Sequence, residues 1–488
     1  MSDYNPINSL INNLEIEHVY FCAGARNSSL LNNFKGIQIH LCLDERSASF
    51  SALGHAKLSN KPVIICTTSG TAVAECFSAM IEAYYSNIKL IMISADRPKR
   101  LHGTHAAQTI NQIGIFNHYA RSQFSCDINS FEKEEIHLLD RIKNKSEQSY
   151  PVHINIELDH LANNYLTSEL HEKKVNPVLL SQGDLLDTIQ TAKYPLALFT
   201  ESSENHEMAF DELNRLYFPI HLEVTAGLEN KTVNNPILFE KDLLSLYENH
   251  KLDLILKFGK TPISKLWRVL DCEQGKTKIV SIGTEAIGLP YGEKYSGGFD
   301  WKQLDSYLPD LSLSEMNEKR KHVLFNLLEK YSLSEAAVFH KIKNEIPSND
   351  IVYIGNSMPI RYWQMMCLTR RETYAARGAN GIDGQISQAM GMANGTDKNI
   401  HCVIGDLTFL YDFSVLAFEI PNNLTIHVIN NSGGRIFERV DVSAKMIIEH
   451  EVEIKKLIQG FKSKHKVFEY FPDLNQTRFF WKEWDHGQ

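Results

Sequence analysis

The residues best placed to do chemistry lie in one stretch, VIGDLTFLYDFSVLAFEIPNNLTIHVINNSGG, where a carboxylate and an amide each follow an apolar run. The pattern predicts a strand ending at Gly405-Asp406, a helical segment, and a second strand ending at Asn430-Asn431. Asp406 and Asn431 are 25 positions apart (431 − 406 = 25), which places both at the carboxyl ends of neighbouring parallel strands, the edge at which open α/β sheets bind ligands. A carboxylate, an amide oxygen and the backbone carbonyl of Gly433 are hard oxygen donors suited to magnesium, with phosphate oxygens completing its octahedron; manganese accepts the same set. The helix start after Asp406, at Leu407 and Thr408, offers backbone N–H groups and a positive dipole to the same phosphates. Either dipeptide alone is an ordinary strand-end turn. The ordered pair, each after an apolar strand, points to a clamp for a diphosphate and its cation.

A second signal lies near the N-terminus. LCLDERSASFSALGHA places Glu45 at a strand-to-helix junction, followed by a helix of small residues. Taken alone, Glu45 is a first-turn acid favoured by the helix dipole.

The elements that must position these groups form an α/β pattern. The runs HVYFCAG, IQIHLCL, PVIICTT, KLIMISAD and VHINIEL alternate with the helix-like ERSASFSALGHAKLS and GTAVAECFSAMIEAYYS, which predicts a βαβ domain with a parallel sheet over residues 1–165. A polar linker is expected from Leu166 to Ser181. PLALFT, PIHLEVT, LDLILKFG and TKIVSIG then mark a smaller central α/β domain over 182–313, and IVYIGN, NIHCVIGD and LTIHVINN a third over 334–488. The C-terminal stretch HEVEIKKLIQGFKSKHKVFEYFPDLNQTRFFWKEW predicts a basic helix followed by an aromatic-rich tail that buries itself on the third domain or on a partner subunit.

Composition narrows the classes further. A chain of 488 residues suggests three domains, and a net charge of −9 gives no reason to expect nucleic acid. There is no basic start followed by an apolar stretch and no apolar run long enough to cross a bilayer, so a cytoplasmic protein without an integral membrane segment is expected. The eight cysteines, at 22, 42, 66, 76, 126, 272, 367 and 402, include no Cys-x-x-Cys pair and read as reduced core residues.

With Glu45 and Gly405-Asp406…Asn430-Asn431 both in view, the chain resembles thiamine-diphosphate enzymes. Within them it is most similar to the 2-succinyl-5-enolpyruvyl-6-hydroxy-3-cyclohexene-1-carboxylate synthase family. The segments carrying the likeness are CAGARNSSLL, DERSASFSALGHAK, TTSGTAVAE, ADRPKRL, QTINQIGIF, FGKTPISKLW, GNSMPIR, ARGANGIDGQIS, GDLTFLYD and NNSGGRIF, in family order from Phe21 to Val440. The resemblance implies the thiamine-diphosphate-binding fold and a decarboxylation of 2-oxoglutarate, with conjugate addition of the succinyl carbanion to isochorismate in menaquinone biosynthesis. It implies that Glu45 hydrogen-bonds the aminopyrimidine ring of the cofactor and that Ile382 props the thiazolium. Both substrates are dianions, and Arg26, Arg97, Arg361 and Arg377, with Lys265, fall at the matching carboxylate-gripping positions. Gln108, Ser357, Ile436 and Phe437 match pocket positions, Gln108 among the catalytic ones. The resemblance also implies a homodimer or homotetramer with active sites between subunits.

The chain departs from the family pattern at four places. Gly24-Ala25-Arg26 stands for Gly-Ser-Arg, Ala106-Ala107-Gln108 for Ala-Asn-Gln, and Ala376-Arg377-Gly378 for Asn-Arg-Gly. After Val440, which stands where leucine is common, the family's closing helix and final strand are not recognisable. Lost polar contacts weaken discrimination in a hydrogen-bonding site, so a related carboligase with another acceptor stays open. A catalytically degenerate binding relative is the reading of another class. Arg435, after the glycine turn, either contacts substrate or faces solvent.

Overall fold

Short apolar runs joined through helix-length crossovers have one economical solution, parallel strands with helices on the faces. The computed structural model has three such sheets. It describes residues 6–59, 61–86, 88–127, 150–158, 178–202, 204–228, 231–273, 277–284, 287–304, 313–366, 371–377, 380–382, 384–394, 396–417, 420–439, 444–461 and 466–486.

The first sheet contains β1 (His18–Cys22), β2 (Gln38–Cys42), β3 (Val63–Thr67), β4 (Leu90–Asp96), β5 (Ser122–Asp127) and β6 (Val152–Glu157), in the order β2-β1-β3-β4-β6-β5. Successive side chains of its central strands enter opposite cores, as a period of two requires. Ile64 and Cys66 join Phe21, Ile93 and Ile154 on one face. Val63 and Ile65 join Cys22 and Met92 on the other, against Ala48, Ala52 and Ala56 of the Glu45–Ser59 helix. Those alanines allow the helix to lie close on the sheet. β5 was not expected; its sequence SQFSCD is polar and it closes one edge.

The second sheet comprises β7 (Val178–Leu179), β8 (Pro195–Phe199), β9 (Ile220–Leu222), β10 (Leu254–Phe258), β11 (Lys278–Ile282) and β12 (Glu293–Tyr295), ordered β7-β12-β11-β10-β8-β9. The third comprises β13 (Ile351–Ile354), β14 (Thr373–Tyr374), β15 (Ile400–Gly405), β16 (Leu424–Ile429) and β17 (Val467–Tyr470), ordered β14-β13-β15-β16-β17. β7 shortens the expected linker, of which residues 166–177 lie outside the described part. Two compact units result. One gathers Met1–Gly103, Ala107–Lys174 and Ser432–His450; the other gathers Thr104–Ala106, Val175–Asn431 and Glu451–Gln488.

The C-terminal segment differs from the expectation. The basic helix is short, Ile454–Gln459, and is followed by β17, paired in parallel with β16, and by a closing helix, Leu474–His486. The tail thus contains the final strand and helix that its sequence concealed. Phe480 and Trp484, one turn apart, are the buried residues of that helix. Trp484 stacks edge-on against Phe239 at 5.6 Å, Trp481 Nε1 donates to Tyr362 Oη at 2.7 Å, and Lys241 Nζ donates to the Trp484 carbonyl at 2.7 Å.

Of the described cysteines, five are buried, Cys42 is half-buried and Cys272 is exposed, which corrects the core reading for Cys272; Cys367 lies outside the described residues. Among the described residues, no helix is long and apolar enough to cross a membrane. Because Trp484 anchors the closing helix, Trp484→Ala is expected to cost about 3–5 kcal/mol. Chemical denaturation checks this through an early transition of that unit.

Candidate active site

Glu45 is the first residue of its helix, three positions after β2, and is 6% exposed. It sits among thiols: Cys76 Sγ lies 3.7 Å from the Glu45 carbonyl oxygen, and Cys22 and Cys42 are directly paired across β1 and β2. Burial pushes the Cys22 and Cys76 thiols up, and the nearby Glu45 charge adds to the shift in both. They remain neutral thiols.

The same unit holds three more expected residues, two of them just after strands and Gln108 in a loop. Arg26 follows β1, is buried, and donates to the Leu158 carbonyl at 2.8 Å; its neighbour Asn27 ties Gly24 N and the Cys22 carbonyl at 2.9 Å each. Arg97 follows β4 and donates to Gln108 Oε1 at 2.8 Å, so the structure brings this pair together. Gln108 is held at φ +57°, and its loop is fixed by Gln112, which accepts from Gly70 N at 2.8 Å.

Asp406 follows β15 at once and is 2% exposed; its Oδ1 accepts from Leu407 N at 2.7 Å, so that N–H is engaged by the carboxylate. Thr408 is buried beside it. Asn431 lies two residues past β16, and its Nδ2 contacts both Glu335 oxygens at 3.4 Å. A carboxylate only accepts, so it selects the amide nitrogen and makes the amide oxygen the ligand atom Asn431 would offer a cation. Glu335, buried at the start of the Glu335–Glu345 helix, was not anticipated; it is 96 residues from its partner.

A second unanticipated hub positions the glycine-rich turn. Asn356, after β13, donates to the Ala376 carbonyl at 2.9 Å and the Gly381 carbonyl at 2.7 Å, and accepts from Arg377 at 3.1 Å. Buried Gln385 also donates to the Gly381 carbonyl, at 2.5 Å, fixing the residue before half-buried Ile382. Ser357 sits at φ +71° with its carbonyl accepting from Arg361 Nη1.

Arg377 faces a third unanticipated residue, Glu223, directly after β9. Burial pushes the Glu223 carboxyl up to about 7, opposed mainly by the Arg377 charge, and Ile263 N donates to it at 2.5 Å. Lys265, two residues on, directly precedes the helix Leu266–Cys272, its N–H held by Glu240. Glu223 therefore links the Arg377 turn to the Lys265 loop.

Gly433 adopts φ +135°, bridges to Glu449, and a Cβ there would stand 2.2 Å from the Ile448 carbonyl oxygen. Its own carbonyl accepts from Arg435 N at 2.9 Å, which uses one of two lone pairs. Half-buried Phe437 packs on the Ile64 face of the first sheet's core, next to half-buried Ile436. Arg435 does not simply face solvent: it pairs with Glu438 at 3.1 Å and Glu449 at 2.5 Å. Val440 lies outside the described residues.

The Asp406–Asn431 end of the third sheet fits a cation-bound diphosphate. Its donors are oxygens, Asp406 is a buried carboxylate, and the space beside Gly405 is open, with nothing within 4 Å of a Cβ placed there.

The family described as thiamine pyrophosphate enzyme, N-terminal TPP binding domain, matches residues 7–115, the segment that carries Arg26, Glu45, Arg97 and Gln108. The parallel α/β fold and this family match define a thiamine-diphosphate-dependent enzyme. The chain is similar to 2-succinyl-5-enolpyruvyl-6-hydroxy-3-cyclohexene-1-carboxylate synthases of Bdellovibrio bacteriovorus (30% identical, covering 96% of this chain and 96% of that protein), Corynebacterium diphtheriae (31%, 94% and 90%) and Akkermansia muciniphila (31%, 93% and 89%). It belongs to this synthase family.

The Glu223 environment sets a pH dependence. Its folded pKa of about 7 exceeds the ordinary 4.5, so the native state holds the proton more tightly. The stability this confers is complete below 4.5 and is lost as pH rises through 7, on the order of 3 kcal/mol in all. Glu223→Gln should flatten that slope in denaturation curves recorded between pH 5 and 8. Gly433→Ala, by contrast, should lower stability by about 1–3 kcal/mol at every pH, read from the same curves.

Proposed function

We propose that the chain decarboxylates 2-oxoglutarate and adds the resulting four-carbon unit to isochorismate, using thiamine diphosphate with Mg²⁺, or Mn²⁺ in its place. The observation that carries this reading is a pair of buried carboxylates at strand ends, Glu45 and Asp406, in a chain of this family. When bound, thiamine diphosphate supplies a nucleophilic thiazolium carbon and an electron sink for decarboxylation.

In this reading the protein's own groups do the rest. Asp406, Asn431 and the Gly433 carbonyl hold the cation, and Gly405, Leu407 and Thr408 line the diphosphate end. Glu45 holds a proton at the aminopyrimidine ring nitrogen, where its buried position keeps water from competing. Ile382 supports the thiazolium, and Ser357, Ile436 and Phe437 wall the pocket. Arg26, Arg97, Arg361, Arg377 and Lys265 grip the substrate carboxylates, and Gln108, held by Arg97, orients the reacting group. The three-domain division at 1–165, 182–313 and 334–488, a cytoplasmic location, and a homodimer or homotetramer with active sites between subunits belong to the same proposal.

A mass-spectrometric product assay with Mg²⁺, thiamine diphosphate, 2-oxoglutarate and a panel of acceptors tests it. Consumption of 2-oxoglutarate together with isochorismate is expected. Turnover only with an aldehyde or another enone would replace the acceptor, and absence of any product with cofactor bound would overturn the proposal. Glu45→Gln should lower kcat by roughly 10²–10⁴-fold while Mg²⁺-dependent cofactor binding, measured by calorimetry, persists.

A further inference from the structure

Away from Glu45, three histidines from three elements converge on the first sheet. His18 opens β1, His40 lies in β2 and His55 lies ten residues along the helix from Glu45 (55 − 45 = 10), about 15 Å away. One ring nitrogen from each lies within 4.8 Å of the others, and all three side chains are half-buried. His18 Nδ1 and His40 Nε2 are 3.2 Å apart, which is close to the edge of about 3.3 Å that two nitrogens span in a tetrahedral zinc site.

The surroundings suit a metal. His55 Nδ1 is 3.2 Å from Tyr20 Oη, so the tyrosine orients the ring and makes Nε2 the ligand atom His55 offers. Tyr20 in turn stacks on His40, with centroids 4.5 Å apart. Among the described residues, these three form the one group of histidine, cysteine and acidic side chains with metal-binding spacing.

We propose that His18, His40 and His55 bind a divalent transition-metal ion of the imidazole-preferring class, zinc foremost, at a site separate from the oxygen-ligand clamp at Asp406 and Asn431. Three protein ligands leave a fourth position open. The ion ties β1 and β2 to the helix that begins with Glu45, and so fixes the strand-to-helix junction carrying that carboxylate. The alternative is a cluster held by ring stacking and hydrogen bonds alone, which needs no ion.

The test uses the full chain with thiamine diphosphate and excess Mg²⁺, so that the oxygen site is saturated, and titrates it with zinc sulfate by calorimetry. One equivalent of zinc per chain is expected, with a higher unfolding midpoint. His40→Gln and His55→Gln should each weaken binding roughly tenfold or more and abolish the shift. Unchanged Mg²⁺-dependent cofactor binding by each variant shows that it is folded. X-ray absorption at the zinc edge of the wild-type protein provides a readout independent of any variant. A nitrogen shell at about 2.0–2.1 Å with histidine scattering supports the proposal. Failure to bind zinc, equal binding by both variants, or a sulfur or all-oxygen shell overturns it.

Discussion

The burial of carboxylates at the carboxyl ends of parallel strands is the constraint on which the rest of this structure depends. Asp96 and Glu157 are the last residues of β4 and β6, Glu223 and Asp406 directly follow β9 and β15, and Glu45 follows β2 by three positions. All five are buried. A carboxylate taken out of water costs several kcal/mol unless hydrogen bonds, an opposite charge or a metal replace its hydration. Parallel topology concentrates that cost on one edge of each sheet, and the loops there are organised around meeting it.

The five solutions differ, and the differences separate scaffold from site. Asp96 is surrounded by neutral and cationic donors, Asn155 at 2.8 Å, Arg97 N at 2.7 Å and His102 at 3.4 Å, and its hydrogen bond raises the His102 pKa. Glu157 accepts from Lys99 N at 3.1 Å. Together they lock the turn from which Arg97 emerges. Glu223 is matched to Arg377 less completely, since burial outweighs the guanidinium in setting its pKa. The Arg377 guanidinium is therefore less fully neutralised than that of Arg435, which is paired with Glu438 and Glu449.

The sequence made the central strands legible because apolar residues dominate them: β3, β4, β6, β8 and β10 are fully buried and only isolated polar residues interrupt their runs. β5, β7, β12, β14 and β17 were not visible. They are short, polar or exposed, and they exist because a neighbour offers an edge. The closing helix escaped notice because only Phe480 and Trp484 mark its inner face within LNQTRFFWKEWDH. At the site, Glu45, Asp406 and Asn431 were recognisable from motif and spacing. Glu335, Asn356, Gln385 and Glu223 were not: Glu335, Asn356 and Glu223 act on residues 20 or more positions away, and Gln385, though only four positions from Gly381, is a lone amide with no local pattern to betray it.

One face of the first sheet also separates two kinds of soft donor atom. His18, Tyr20 and Cys22 alternate along β1 with His40 and Cys42 beside them on β2, so imidazoles stand at one end of a ladder and thiols next to Glu45 at the other. Thiolates would compete for any soft metal, but burial and the Glu45 charge hold Cys22 and Cys76 protonated and therefore poor ligands. Imidazoles, being softer, suit transition metals, whereas a hard cation such as magnesium prefers oxygen donors of the kind that Asp406 and Asn431 carry. The donor sets at the two places therefore differ both in softness and in which atoms are left unprotonated. The carboxylate at Glu45 contributes to that difference by holding the thiols of Cys22 and Cys76 protonated.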